Sequence, residues 1–486
     1  MNKRRFQPII EDIKDPAPPE TLFAGIKNNP YSFFLDSSSD SGKLGRFSFF
    51  GCDPFLIFSS KGTAITLERT GIGREHFSAD PFMALRDILK RYETAGADGL
   101  PFTSGGVGYF AYDMKEFVER LPASSVDDLG IPDCMIGFYD RVVIYDNLEG
   151  RCRIASSGLP ETDQSRRNRR AVGRIKEFKD IIDTDEHGSK TDMRGSSYGR
   201  GHHSPLLKSN FSFGSYIEAI RRAKEYIKKG DIYQVNLSQR FEAGLDHDPF
   251  ELYSRLRRVS PAPFSAYLGF GGVTVASSSP ERFLMKRGGY IETRPIKGTR
   301  PRGDDTAEDA RLEGELLASA KDRAEHVMIV DLERNDLGRI CEYGSIRPTE
   351  FVILEKYATV SHLVSTVSGR LRDGIDPIDC LLATFPGGSI TGAPKIRSME
   401  IIDELEPVRR SVYTGSIGYI SFDGNMDTSI AIRTFLIKGD KAYFQVGGGI
   451  VADSDPESEY LETLDKAKGM FRALGVAMPK REHLCV

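Results

Sequence analysis

A single lysine, Lys297, lies in residues 293–303, a short segment that is rich in arginine, proline and glycine. Proline fixes φ on the N-terminal side of this lysine, and the glycine that follows lets a ligand or a second backbone approach closely. A lysine held on such a rigid hairpin can act as a nucleophile, because burial and neighbouring charges lower the pKa of its ammonium group. A solvated loop lysine among arginines is the alternative that the spacing leaves open.

One carboxylate, Glu281, precedes this lysine in a Ser-Pro-Glu-Arg-Phe segment. A turn at Gly288 and Gly289 would join two strands and bring Glu281 and Lys297 to the same end of a hairpin or to adjacent strands. A carboxylate beside a lysine is usually an ion pair, and it performs general acid–base chemistry only in a desolvated pocket.

Carboxylates also recur at helical spacing in two places. Asp322 and Glu325 lie on one side of a helix predicted within residues 306–340, and Glu459, Glu462 and Lys466 lie on one side of a predicted C-terminal helix. These oxygen donors suit a hard cation, and we expect Mg²⁺ because the sequence contains no calcium-binding loop. Two solvated helix faces would show the same spacing.

A glycine-rich loop, residues 385–395, runs into a predicted helix whose first residue is Pro394. The free N–H groups at this helix start would favour a carboxylate or a phosphate, although the spacing differs from that of a P-loop. An ordinary helix cap is the alternative.

Further along, Tyr413, Arg433 and the glycines at 447–449 lie on or between predicted strands. Apolar neighbours predict that Arg433 is buried, and a buried arginine needs an anionic partner from the protein or a ligand.

The elements that must position these residues differ along the chain. Residues 1–155 contain short β-type runs separated by Asn, Asp and Gly turns, with one amphipathic helix predicted over residues 80–92. Residues 156–209 have the composition of a linker or insertion, with a short amphipathic segment around Ile175 and Phe178. Residues 210–480 begin with a helix for which Ser215 and Glu218 form a capping-box pattern. The strand predicted next, over residues 231–241, has an amide-rich face that is either an exposed surface or the wall of a polar site.

Composition and net charge argue against several classes of protein. The chain has 486 residues and a net charge of -4, which argues against nucleic acid as the main partner. No stretch approaches the roughly 18 apolar residues of a membrane span, and no apolar run follows the basic N-terminus. The cysteines form no C-x-x-C pair, so we expect a cytoplasmic protein with reduced thiols.

Together these segments resemble the chorismate-utilising enzyme family. The resemblance covers nearly all of residues 210–475, through residues 230–241, 279–283, 319–336, 362–365, 386–395 and 447–466, and it continues more loosely at residues 35–38 and 45–48. It implies an α+β fold of the anthranilate-synthase type. In that fold two large antiparallel sheets pack together with helices outside, and both halves of the chain contribute.

Within the family, the segment Pro-Ile-Lys-Gly-Thr at residues 295–299 separates two branches. Anthranilate synthases resemble it with alanine in place of lysine, whereas lysine marks the aminodeoxychorismate synthases, which make the precursor of 4-aminobenzoate for folate. The resemblance implies that Lys297 attacks C2 of chorismate with loss of the C4 hydroxyl, and that ammonia then adds at C4 and expels the lysine. An anthranilate synthase and an inactive ligand-binding paralogue are the alternatives.

The resemblance also implies roles for individual residues. Glu281 matches the general acid–base, and His362 matches a histidine associated with pyruvate elimination in anthranilate synthases. Glu325 and Glu462 match magnesium ligands, with Asp322 and Glu459 behind them. The matched substrate-binding positions are Thr391, Gly392, Tyr413, Arg433, Gly449 and Lys466. A tryptophan pocket, regulatory or structural, is matched by Ser38, Arg46, Phe47, Ser48, Pro263, Phe264 and Ser265.

The source of ammonia is expected to be another protein. None of the six cysteines lies in the Gly-x-Cys-x-Gly setting of a glutaminase. We therefore expect a separate glutamine amidotransferase subunit as the partner and chorismate as the substrate, and we expect no fused lyase domain.

Overall fold

Short runs of aromatic and β-branched residues form most strands of the computed structural model, and amphipathic runs form its helices. The structure describes residues 6–39, 44–188, 207–303, 305–357 and 360–478. The strands are β1 Ile9–Ile13, β2 Ser32–Asp36, β3 Phe47–Gly51, β4 Leu56–Lys61, β5 Ala64–Arg69, β6 Gly73–Ser78, β7 Gly105–Phe110, β8 Cys134–Tyr139, β9 Arg141–Asp146, β10 Arg151–Ser156, β11 Lys208–Ser209, β12 Gln234–Gly244, β13 Phe264–Phe270, β14 Val273–Ser279, β15 Arg282–Arg287, β16 Tyr290–Arg294, β17 Ile296–Pro301, β18 Arg347–Lys356, β19 Val360–Arg370, β20 Gly392–Ala393, β21 Ser416–Ser421, β22 Met426–Ile430, β23 Thr434–Lys438 and β24 Lys441–Ile450.

The helices lie mainly in the second half of the chain. They are α1 Pro19–Ala24, α2 Pro81–Arg91, α3 Gln164–Gly188, α4 Phe213–Lys229, α5 Pro249–Val259, α6 Thr306–Ala318, α7 Ala320–Gly338, α8 Pro377–Thr384, α9 Lys395–Leu405 and α10 Pro456–Leu474, with 3-10 helices at Tyr112–Phe117 and Gly388–Ile390. Of the helices in the described ranges, none is both long enough and apolar enough to cross a membrane.

Each of the two antiparallel sheets takes strands from both halves of the chain. The first sheet has the order β1-β10-β9-β3-β2-β13-β14-β23-β24-β12-β11, with β20 beside β12. The second has the order β17-β19-β16-β15-β22-β21-β7-β8-β4-β5-β6, with β18 beside β19. The halves meet where β2 pairs with β13 in the first sheet and where β7 pairs with β21 in the second.

Aromatic side chains fill the space between the sheets. The rings of Phe33 on β2 and Tyr139 on β8 have centroids 4.5 Å apart, and those of Phe49 on β3 and Tyr419 on β21 are 5.5 Å apart. Each such pair joins one sheet to the other and buries a large apolar area. Helix α10 covers β24 and α5, and α7 covers β17 and β19. The predicted α+β fold with two large packed antiparallel sheets is confirmed.

Helix α3 occupies much of the segment whose composition resembles a linker. Its amphipathic residues Ile175 and Phe178 are buried, as their spacing predicts. Arg170 Nε donates to the buried Asp140 at 3.0 Å, so part of the basic run serves a structural ion pair. Residues 189–206 of that predicted linker lie outside the described residues.

Two local predictions are wrong, and a third is confirmed with one interruption. The capping box of α4 consists of Ser212 and Ser215, because Ser212 Oγ accepts from Ser215 N at 3.2 Å, and not of Ser215 and Glu218. Residues 306–340 are largely helical as predicted, but they form two helices, α6 and α7, which are divided at Ser319. Ser319 caps α7 by accepting from the backbone N–H of Asp322 at 3.2 Å. Pro394 is the N-cap residue of α9 and not its first helical residue.

Candidate active site

The hairpin of β15 and β16 places Glu281 beside Lys297. Its turn lies at Gly288 and Gly289, and Arg282 at the start of β15 pairs with Arg294 at the end of β16. The chain then continues into β17, and Ile296 N donates to Glu281 Oε1 at 3.4 Å. The proximity that the sequence predicts for Glu281 and Lys297 is therefore present in the structure.

A β-bulge at Gly298 follows the lysine. Lys297 lies opposite Leu363 of β19, but Thr299 lies opposite His362, so Gly298 is the extra residue. Its φ is 77°, and a Cβ there would lie 3.2 Å from Asp322 Cβ on α7. Glycine thus permits both the left-handed backbone and the close approach of the helix that carries two of the candidate metal ligands.

Glu281 is held in a buried position. Its exposed fraction is 4%, and the hydroxyl of Ser389 donates a hydrogen bond to its carboxylate. Burial raises the pKa of Glu281 to about 7, although the bond from Ser389 and the charge of Lys297 act in the opposite direction. A carboxyl group with this pKa can donate or accept a proton near neutral pH.

Burial and neighbouring charges have opposing effects on the pKa of Lys297. Burial lowers the pKa of its ammonium group, and repulsion from Lys466 lowers it further, whereas Glu325, Glu281 and Glu462 raise it. The balance is a lowered pKa, which increases the fraction of neutral amine at a given pH. Only the neutral amine carries the lone pair that a nucleophile requires.

The acidic residues of α7 and α10 lie around this lysine but pair with different groups. Asp322 accepts from Arg300 Nη2 at 3.0 Å, Lys466 Nζ lies 2.7 Å from Glu462 Oε1, and Glu459 Oε1 accepts from Ser454 Oγ at 2.6 Å. Burial raises the pKa of Glu325, and the charges of Asp322 and Glu462 add to this effect. Within the described residues, no group of three or more His, Cys, Asp or Glu side chains is close enough together to hold a metal ion.

The glycines at the end of β24 allow α10 to lie against the sheet. A Cβ on Gly448 would be 3.2 Å from Glu459 Oε2, and Lys466 Nζ donates to the Gly447 carbonyl at 3.0 Å. On the opposite face, a Cβ on Gly449 would lie 2.3 Å from Nε2 of Gln234 on β12. Gln234 is fully buried, and its amide has no hydrogen-bond partner within the described residues. The amide-rich face of this strand is therefore not an exposed surface.

The glycine-rich loop is fixed to the edge of β12. Thr391 O accepts from Asn236 N at 2.8 Å, and Thr391 Oγ1 donates to the Gly387 carbonyl at 3.0 Å. Gly392 has a φ of 141°, and a Cβ there would lie 2.2 Å from the Gln234 carbonyl. These two predicted substrate-binding positions thus have strict backbone requirements.

A third group consists of His362, Tyr413 and Arg433. His362 Nδ1 lies 2.8 Å from Thr299 Oγ1, and burial, assisted by the charge of Arg433, lowers the pKa of His362 to about 4. Burial also lowers the pKa of Arg433, while Tyr413 raises it. Among the residues that the structure describes, no carboxylate forms an ion pair with Arg433. Arg433 is half-buried, and not fully buried as its apolar neighbours predict. A partly desolvated guanidinium without an acidic partner is suited to an anionic ligand.

Three residues in or beside this group have positive φ values, a backbone conformation that is unfavourable for most residues other than glycine. They are Ser411 at 55°, Thr414 at 58° and Arg433 at 52°. For a β-branched residue such as Thr414, this conformation is an outlier. The backbone around Tyr413 and Arg433 is therefore held in a strained form by its surroundings.

Comparison with known proteins places the chain among known enzymes. A family model described as chorismate binding enzyme matches residues 29–472. The chain belongs to this family. Anthranilate synthase component 1 of Acetivibrio thermocellus is 40% identical over 468 residues, covering 96% of this chain and 94% of that protein. Aminodeoxychorismate synthase component 1 of Bacillus subtilis is 40% identical over 437 residues, covering 90% of each.

The fold is shared with a solved member of the family. The crystal structure of anthranilate synthase component I from Streptococcus pneumoniae has a TM-score of 0.77 and 31% identity, and it covers 89% of this chain and 93% of that chain. The protein is thus a chorismate-utilising enzyme of the anthranilate-synthase type. Relatives named for two different products are equally similar, so overall identity does not distinguish the two reactions.

A cavity of about 740 Å³ lies away from Lys297, and it contains most of the predicted tryptophan pocket. Its lining includes Arg46, Phe47, Pro263, Phe264 and Ser265. Ser38 and Ser48 do not line it but support it. Ser38 Oγ lies 2.9 Å from Ser265 Oγ, and Ser48 Oγ accepts from Ser37 N at 3.2 Å. Tryptophan binding by this chorismate-binding enzyme stays a prediction.

Sequence reasoning missed several buried charges that support the site. Arg410 Nη2 donates to Glu406 Oε1 at 2.7 Å and to the Asn236 carbonyl at 2.7 Å, which ties the segment before Tyr413 to β12. Glu333 on α7 is also buried, under the glycine-rich loop. The available signal for Glu333 was a charged residue between apolar positions of a predicted helix, but exposed helix faces give the same pattern.

Proposed function

We propose that this protein aminates chorismate at C4, giving 4-amino-4-deoxychorismate for the synthesis of 4-aminobenzoate and folate. The observation that carries the proposal is the presence of Lys297, with a lowered pKa, beside the buried acid Glu281. An amine nucleophile allows the C4 hydroxyl to be replaced in two displacements, and a group that can donate a proton helps this hydroxyl to leave.

The proposed chemistry proceeds in two displacements. The neutral amine of Lys297 attacks C2 of chorismate, the double bonds shift, and the C4 hydroxyl leaves as water after Glu281 donates a proton. Ammonia then adds at C4, the double bonds shift back, and the lysine leaves C2 as an amine. The proton that the incoming nitrogen loses restores the carboxyl group of Glu281. The net reaction converts chorismate and ammonia into aminodeoxychorismate and water.

The cationic residues of the site would bind the carboxylates of chorismate. Arg433 has no acidic partner in the described structure and lies near the Tyr413 hydroxyl, so it is suited to one carboxylate. Thr391, Gly392 and Gly449 are proposed to contact the substrate through their backbone, because β12 and β20 fix them on this side of the sheet. Lys466 lies near Lys297 and is proposed as a further contact.

We propose that Glu325 and Glu462 hold Mg²⁺, with Asp322 and Glu459 behind them. Carboxylate oxygens are the donors that this ion prefers, and the mutual repulsion that raises the pKa of Glu325 would be relieved by a cation. Binding would require Glu462 to give up its ion pair with Lys466. When bound, the ion would neutralise a carboxylate of the substrate.

A separate amidotransferase subunit is the proposed source of ammonia. The relatives are named component 1, which supports a second protein that supplies the nitrogen. With glutamine in place of ammonium, turnover is therefore expected only after that subunit is added.

Anthranilate synthesis is the second candidate function. The buried His362 matches the histidine associated with pyruvate elimination, and relatives named anthranilate synthase are as similar as those named aminodeoxychorismate synthase. Against it stands Lys297, because elimination of pyruvate after amination at C2 needs no amine nucleophile from the enzyme.

The product of the purified protein tests the proposal. With chorismate, Mg²⁺ and ammonium, we expect a product with the mass of 4-amino-4-deoxychorismate. Lys297→Ala should reduce its formation roughly 1,000-fold, since the variant lacks a group that acts in the chemical step. Lys356→Ala, at an exposed lysine on β18, is the matched control and should retain full activity. Anthranilate as the product, identified by its fluorescence, would contradict the proposal.

A further inference from the structure

Glu333 is a buried carboxylate that the proposed chemistry does not use. Its exposed fraction is 3%, and it lies on the face of α7 that packs beneath the glycine-rich loop. Glu333 Oε1 accepts from the backbone N–H of Gly388 at 3.0 Å, and Thr293 Oγ1 donates to Oε2 at 3.4 Å. One side chain therefore joins the loop to β16, the strand that precedes Lys297.

The contact with the loop lies next to the general acid–base. Gly388 is followed by Ser389, whose hydroxyl donates to Glu281. The packing leaves no free space at this point, since a Cβ on Gly388 would lie 2.6 Å from Leu332 Cδ2 and 3.0 Å from Glu333 Oε1. A displacement of Glu333 would therefore displace the residue that bonds Glu281.

The charged groups around Glu333 are mostly paired with other residues. Asp336 accepts from Lys395 Nζ, which also donates to the Thr384 carbonyl at 2.9 Å. Burial raises the pKa of Glu333, and the charges of Asp336 and Glu281 raise it further, whereas Lys395 and the Gly388 N–H lower it. The charge of Glu333 is thus disfavoured, so its contribution to the site is the hydrogen bond that it accepts from the loop.

We propose that Glu333 is a positioning residue for the amination. It keeps Ser389 on Glu281 by holding the Gly388 N–H. The proposal rests on the proposed function in one respect, that Glu281 is the general acid. Glu333 itself touches neither the substrate nor the reacting atoms.

The test compares three variants by the rate of chorismate consumption with ammonium across a range of pH. Glu333→Gln keeps an acceptor for the Gly388 N–H but removes the charge. Its pH profile of kcat should therefore coincide with that of the wild type, with KM within about two-fold. Glu333→Ala loses the acceptor and releases Ser389, whose bond lowers the pKa of Glu281. We therefore expect its kcat to fall roughly ten-fold, and the limb that falls as Glu281 ionises to move to higher pH by about half a unit.

Asp331→Asn is the matched control, because this acid lies on the same helix with a side chain that is 77% exposed. Its pH profile should coincide with that of the wild type. An unshifted pH profile in Glu333→Ala would overturn the proposal. A ten-fold loss of kcat in Glu333→Gln, which keeps the acceptor, would overturn it as well, whether or not the alanine variant folds. A wild-type protein that consumes no chorismate would contradict the proposed function, and with it this proposal, so the two failures are distinguishable.

Discussion

Burial shifts the pKa values of Lys297 and Glu281, the two central residues of the site, in opposite directions. It lowers the pKa of Lys297 and raises that of Glu281 to about 7, because a desolvated site disfavours the charged form of either group. The lowered pKa increases the fraction of neutral amine on Lys297, and a pKa of about 7 leaves part of Glu281 protonated near neutral pH. In the proposed reaction the neutral lysine is the nucleophile and the neutral glutamic acid is the proton donor, so one physical effect would prepare both roles.

At the same scale, burial of His362 predicts a loss of stability in acid. Burial lowers its pKa to about 4 from a value of about 6.5 in the unfolded chain. Because the unfolded chain takes up the proton first, the stabilisation is complete above pH 6.5 and is lost as the pH falls toward 4. Between pH 7 and pH 5, the free energy of unfolding should fall by roughly 2 kcal/mol less in His362→Gln than in the wild type.

Denaturant unfolding at both pH values, followed by circular dichroism, measures this difference. His76→Gln, at an exposed histidine on β6, is the control and should lose as much stability as the wild type. If the free energy of unfolding of His362→Gln falls as much between pH 7 and pH 5 as that of the wild type, the buried neutral imidazole is not a source of acid sensitivity.

At the scale of the elements, close approach of strands depends on glycine. A Cβ on Gly108 in β7 would lie 1.9 Å from the Met135 carbonyl of β8, whereas a Cβ on Gly173 in α3 would meet nothing within 4 Å. Gly108→Ala should therefore lower the free energy of unfolding by more than about 3 kcal/mol. Gly173→Ala should raise it by up to about 1 kcal/mol, because alanine has the higher helix propensity. Urea unfolding of both variants tests this contrast, and equal stabilities would contradict it.

Local patterns predicted those elements whose signals were unambiguous. Helix α2 was predictable because Asp80 caps it and apolar residues follow at helical spacing. The start of α4 was not, because Ser212 and Ser215 can both cap a helix. The contact between the rings of Phe213 and Tyr460, whose centroids are 5.0 Å apart, agrees with the earlier start, and it is a tertiary contact that the local sequence does not reveal.

The same distinction applies to the candidate site. The turn at Gly288 and Gly289 was enough to predict that Glu281 and Lys297 are neighbours. The support from Glu333 depends on the packing of α7 beneath the loop, which brings together residues far apart in sequence. Long-range packing of this kind has no signature in spacing or composition.

At the scale of the whole molecule, neither half of the chain has a complete sheet. The first half ends at β10, and its β2 and β7 depend on β13 and β21 from the second half for pairing. We expect fragments 1–188 and 207–486 to lack a cooperative thermal transition when produced singly and to regain it when produced together. Calorimetry of the three samples is the measurement, and a cooperative transition in either isolated fragment would contradict this interpretation.

The left-handed backbone at Ser411, Thr414 and Arg433 bears on how this enzyme can be engineered. Glycine would adopt these conformations without strain, so selection for folding alone would favour it at all three positions. A screen for thermostable variants that ignores turnover would therefore tend to accumulate glycines around Tyr413 and to discard the guanidinium of Arg433. Heat resistance and the proposed binding of chorismate by Arg433 would thus compete at this position.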